Sequence, residues 1–152
     1  MTHSEFEVKE QEQIRVIVCR PMEKAEVIEI NDDLRSMQET VGGMIEEYTP
    51  FYDENDPRVE DVAIICDDEG KMKHATMNRA ILDDKGSIQD IIAGPFFICY
   101  APIESETFLS LPDDLKEEMR KKFELPERYY RSDEGLMVLK YDPKDLDREP
   151  AR

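Results

Sequence analysis

Apolar residues fall along this chain in short runs divided by acidic turns. The run IRVIVC (14–19) is rich in β-branched side chains, PMEK (21–24) supplies a turn, and AEVIEI (25–30) alternates polar with apolar positions. That pattern predicts a β-hairpin. Next, Asn31, Asp32 and Asp33 offer an N-cap to LRSMQETVGG, where Leu34, Met37, Gln38 and Val41 recur at helical spacing and Gly42 or Gly43 closes the helix. An extended pattern over 43–52, with Ile45 and Tyr48 or Phe51 inward, predicts a third strand.

Residues 53–61 are charged and contain proline, which reads as a surface loop. VAIIC (62–66) fits a central strand, and DDEGK (67–71) carries turn chemistry. MKHATMNRAIL (72–82) is ambiguous between strand and loop, and DDKGS (83–87) repeats the acidic turn. The most apolar stretch, 88–103, predicts a turn near Gly94 followed by a buried strand in PFFICY. Over 106–125, Leu111, Leu115, Met119 and Phe123 form an i, i+4 stripe, which predicts an amphipathic helix docked on the sheet. Residues 136–141, LMVLKY, read as an edge strand or a cover for the core.

These elements predict an α+β fold: a small mixed or antiparallel sheet, a short helix after the first hairpin and an amphipathic C-terminal helix. The domain spans 14–125, preceded by a flexible arm over 1–13 and followed by an extension over 126–152 whose last residues are disordered.

Composition sharpens this picture in one respect. The chain has 152 residues, of which 37 are Asp or Glu and 20 are Lys or Arg, a formal charge of −17. The excess lies mainly before residue 104, where 23 acids face 10 bases. Such a surface repels phosphate backbones and anionic membranes, so direct nucleic-acid and membrane binding are not expected. No stretch reaches the length of a membrane span, and the first residues lack the layout of a signal peptide. Cys19, Cys66 and Cys99 each sit in an apolar run, as small hydrophobes in a reducing cytoplasm would.

Candidate chemistry is sparse. His3 lies in the arm, and His74 has no metal-ligand partner at a suitable spacing. The acidic turns lack the calcium-loop spacing, and no phosphate-cradling glycine loop is present. No catalytic residue, metal site or cofactor is expected. One constellation stands out: Asn78 and Arg79, with Gly42, Gly43, Glu46 and Gly94. Arg79 is the only cation between His74 and Asp84. Buried beside Glu46 or Asp90 it makes a structural ion pair; facing a groove lined by glycine backbone it holds a small anionic ligand through its planar fork.

Residues 14–125 resemble the family catalogued as domain of unknown function 3846, found mostly in phages and mobile elements of Gram-positive and gut bacteria. The resemblance rests on IRVIV, LRSMQETVGGMIE (34–46), VAIICDDEGK (62–71), MNRAI (77–81) and IQDIIAGPFFI (88–98) in that order. The loop at 53–61 and both tails are additions to the pattern. The resemblance implies a mobile-element setting and carries no activity.

The function expected is therefore that of a non-enzymatic accessory protein, acting on a host or element-encoded protein through its acidic surface. DNA mimicry is a sharper form of that expectation. The alternative is a domain that binds a small, nucleotide-like ligand with Asn78 and Arg79 as anchors.

Overall fold

A computed structural model describes residues 12–147 of the chain. Strand β1 (Gln13–Cys19) pairs antiparallel with β2 (Glu26–Asn31) around the turn at 20–24. Helix α1 (Leu34–Val41) begins at Asp33, whose carboxylate accepts the Ser36 N–H at 2.6 Å, and buries Met37 and Val41. Strands β3 (Ile45–Tyr48), β4 (Val62–Asp67) and β7 (Phe96–Tyr100) complete an antiparallel sheet in the order β2–β1–β7–β4–β3.

The three inner strands are sandwiched between two apolar layers. Val16, Val18, Ala63, Ile65, Phe97 and Cys99 point to the face covered by α1. Ile17, Cys19, Val62, Ile64, Cys66, Phe96 and Ile98 point to the opposite face. Coverage on both sides explains why VIVC (16–19), VAIIC and FFIC are continuous apolar runs rather than alternating ones. The outer strands β2 and β3 carry Glu26, Glu29, Glu46 and Glu47, charges that discourage further strand pairing at the sheet edges.

The expected α+β arrangement of one small sheet carrying two helices is not what forms. Strands dominate, and among the described residues they build three separate antiparallel sheets with only two short helices. Strands β5 (Met77–Leu82) and β6 (Ile88–Ala93) pair only with each other, and Ile81 and Ile92 pack on the second face of the central sheet. The register of β5 and β6 slips between Met77 and Arg79 and again between Ile81 and Leu82. A hairpin bent twice packs across the sheet instead of extending it.

Nor does an amphipathic helix run over 106–125. Helix α2 covers only Asp113–Lys122 and buries Leu115 and Met119; Leu111 and Phe123 are buried from non-helical chain on either side. Two causes cut it short. Leu109 exchanges backbone hydrogen bonds with Tyr100 at 2.7 and 2.8 Å, which holds the preceding segment extended. Pro112 then disfavours a helical conformation at Leu111.

The surface loop at 53–61 contains a 3₁₀ turn, Pro57–Asp61, that buries Val59. Its Arg58 bridges Asp56 and Asp114 at 2.8 and 2.7 Å, tying the loop to the first turn of α2. Beyond α2, β8 (Glu127–Ser132) and β9 (Gly135–Lys140) form a hairpin of their own, followed by a 3₁₀ turn, Pro143–Asp147. Of the expected arm over 1–13, residues 1–11 lie outside the described residues, as do the last residues, 148–152, whereas Gln13 already belongs to β1. No described helix is long and apolar enough to cross a membrane.

Candidate functional site

The first register slip in β5 leaves Asn78 without a cross-strand partner, so two successive side chains turn inward. Asn78 is 1% exposed and Arg79 is fully buried. Arg79 Nε donates to the Phe123 carbonyl at 3.1 Å, and its Nη2 donates to the Glu23 carbonyl at 2.8 Å. Its Nη1 donates to Asn78 Oδ1 at 2.8 Å, with the Arg20 carbonyl more distant at 3.5 Å. Asn78 Nδ2 in turn donates to the carbonyls of Cys19 and Gly94 at 2.9 and 2.8 Å.

This node stitches four separate pieces together: the end of β1, the 20–24 turn, the Gly94 turn and the end of α2. Phe123 caps α2 through its N–H, and its carbonyl lies at the negative end of the helix dipole, so a buried cation is favoured there. Neither Glu46 nor Asp90 pairs with Arg79; backbone carbonyls take that place, and Asp90 pairs with Lys71 Nζ at 2.6 Å. The adjoining Glu127 carboxylate accepts from the Ala80 N–H at 2.7 Å and the Tyr129 hydroxyl at 2.9 Å. Burial, reinforced by Glu127, raises the Tyr129 hydroxyl pKa.

The predicted constellation does not assemble as a unit. Asn78, Arg79 and Gly94 share the node just described. Gly42 and Gly43 lie elsewhere, at the end of α1. Gly42 adopts φ 82° as the helix cap, and a Cβ on Gly43 would stand 2.6 Å from the Asp67 carboxylate. Asp67 is held by Lys73 Nζ at 2.9 Å and by the Glu69 N–H at 2.9 Å. Burial pushes its carboxyl up, but the Lys73 and Glu69 hydrogen bonds outweigh that and keep its pKa below the ordinary value.

Glu46 stands at a third place, on the rim of a cavity of about 320 Å³. Its walls are Glu46, Glu47 and Tyr48 from β3, Cys66 to Asp68, Gly70 to Met72, and Asp90 to Ala93. Five carboxylates and a single lysine, Lys71, face it. Gly70 closes the floor: a Cβ there would meet the Ala93 carbonyl oxygen at 2.7 Å, so only glycine lets the loop lie against β6. Burial pushes the Cys66 thiol up to about 11 and Cys19 up to about 12, so at neutral pH both are thiols rather than nucleophilic thiolates.

Comparison with protein-family models finds a match over residues 14–124 to the family described as Domain of unknown function (DUF3846). The chain belongs to this family. No curated protein and no solved structure matches it.

Within this DUF3846 chain, the segments that carry the family resemblance have distinct physical duties. VGG closes α1 against Asp67, NRA supplies the buried Asn78–Arg79 node, and IAG makes the Gly94 turn at φ 81° that accepts from Asn78. Three of the segments, at 41–46, 62–71 and 88–98, meet around the acidic cavity. Lys71 was not singled out in the sequence; Asp67 read as part of an acidic turn, Asp90 as a candidate partner of Arg79 and Tyr48 as an inward residue of the third strand. Hairpin β8–β9 lies beyond the DUF3846 match.

Proposed function

We propose that this chain is a non-enzymatic binding protein that engages a partner protein through the acidic surface around β3. The observation that supports this most is the carboxylate excess at the cavity beside β3: its one lysine is already spent on Asp90. A Lys or Arg side chain from a partner has the charge, and the slender shape, to enter such a rim. The setting we propose is a phage or mobile element, the location the cytoplasm, and the partner a host or element-encoded protein with a basic surface. A partner whose basic surface normally holds DNA makes this a case of DNA mimicry.

A nucleotide-like ligand ranks second. The donors of Asn78 and Arg79, its expected anchors, are engaged by protein acceptors, and a carboxylate-rimmed cavity repels phosphate.

Affinity capture from a lysate of the source cells, at low and high salt, tests the reading. The wild type retains a basic protein at low salt, and Glu46→Lys/Glu47→Lys loses it. Equal capture by both proteins contradicts the proposal.

A further inference from the structure

Two lysines reach carboxylates around the cavity beside β3, and they are held differently. Lys73 Nζ donates to Asp67 Oδ2 at 2.9 Å, and the Asp67 side chain is only 6% exposed. The same ammonium has a second acceptor in the Gly42 carbonyl at 3.4 Å. Lys71 Nζ donates to Asp90 Oδ1 at 2.6 Å, its one acceptor among the described residues, in a pair whose side chains are 66% and 34% exposed. An ion pair this exposed holds its closed arrangement by a factor of about five at most.

The fold carries that weaker pair into the cavity. Gly70 lies so close to the Ala93 carbonyl that the loop after β4 rests on β6, and the next residue, Lys71, reaches Asp90 on the same strand. Asp90 Oδ1 also accepts the Ile91 N–H at 2.8 Å, which fixes the carboxylate in place. Lys71 and Asp90 share the lining with Glu46, Glu47 and Asp68, three carboxylates that form no ion pair among the described residues. Burial does most to raise the Cys66 thiol; Glu46, Asp90 and Asp67 add to it and Lys71 alone opposes them, so these charges converge on one wall.

Resting on the binding surface proposed above, we infer that Asp90 is the inner anchor for the cationic side chain this cavity takes, and that Lys71 is an internal placeholder which a partner's arginine displaces. Exchange of Lys71 for a partner's lysine replaces one ammonium by another and gains nothing at Asp90. An arginine brings two parallel N–H donors on a planar fork, so it makes a second hydrogen bond where the ammonium makes one. While Lys71 occupies Asp90 the site is partly closed, and its apparent affinity falls by the fraction that is open.

Fluorescence anisotropy of a labelled oligoarginine peptide at low salt tests the placeholder. Lys71→Met binds the peptide about fourfold more tightly than wild type. Lys85→Met changes the net charge equally at a turn outside the cavity lining, and tightens binding less than about 1.5-fold. Asp90→Asn keeps an acceptor for the Ile91 N–H. It weakens binding less than about twofold in the wild-type background, where Lys71 already occupies Asp90, and about sevenfold in Lys71→Met. Equal tightening by the two lysine variants overturns the placeholder, as does the same loss from Asp90→Asn in both backgrounds; a binding loss in Glu46→Lys/Glu47→Lys then still supports the surface. No binding by any of these proteins overturns both.

Discussion

Arg79 on β5 donates its Nε proton to the carbonyl of Phe123, the residue that caps α2, at 3.1 Å. The bond spans 44 positions of sequence and fastens the β5–β6 hairpin to the helix that packs on the same face of the central sheet. Replacing Arg79 therefore strands several buried carbonyls at once. Arg79→Met is expected to lower stability by about 3 kcal/mol, because two well-bonded carbonyls and Asn78 each lose a partner. Arg79→Lys recovers only part of it, since one ammonium cannot reach three acceptors set for a planar fork. Urea denaturation followed by circular dichroism measures both.

The close approach of Gly43 and Asp67 gives a second expectation. In Gly43→Ala the new methyl meets the carboxylate, which is pinned by Lys73 and cannot withdraw, at a cost of roughly 1–3 kcal/mol. In Gly43→Ala/Asp67→Ala the clash is gone, so the double variant is more stable than the sum of the two single losses. Gly42→Ala behaves differently: nothing lies within 4 Å, and its cost of about 1 kcal/mol comes from φ 82° alone. Thermal unfolding of the four variants separates steric from conformational loss.

The same carboxylate makes stability depend on pH. The Asp67 pKa is lower folded than its reference value of 3.8, so the folded state binds fewer protons there than the unfolded chain. The contribution is complete above about pH 5, and it falls away as the pH drops through 3.8 to the lower folded value. Wild type is expected to lose more stability than Asp67→Asn between pH 5 and 3. Parallel slopes for the two proteins in chemical denaturation across that range contradict the assignment.

Much of the central sheet was legible because burial on both faces leaves a local mark: VIVC, VAIIC and FFIC are apolar at every position. Which strands share a sheet left no such mark. Met77–Leu82 has the composition of a strand, but its partner choice follows from a bulge at Asn78 that periodicity does not reveal. The helical stripe from Leu111 to Phe123 was right about burial and wrong about conformation at its ends, where the bridge between Leu109 and Tyr100 overrode local propensity. Asn78 and Arg79 were conspicuous as an isolated polar pair in an apolar strand. Their acceptors, at Cys19, Glu23 and Phe123, are backbone carbonyls, which every residue carries and no pattern distinguishes. The cavity escaped for a similar reason: Asp67 and Asp90 approach each other only through the fold.

The proposed function rests on the acidic rim at β3 being a binding surface rather than a share of general charge. Fluorescence anisotropy of a labelled oligoarginine peptide at low salt tests this most directly. Glu46→Lys/Glu47→Lys at the cavity is compared with Glu26→Lys/Glu29→Lys on the opposite edge, which changes the net charge equally. Reversal at β3 is predicted to weaken binding about tenfold and reversal at β2 less than about threefold. Equal weakening by the two pairs would contradict a localised site.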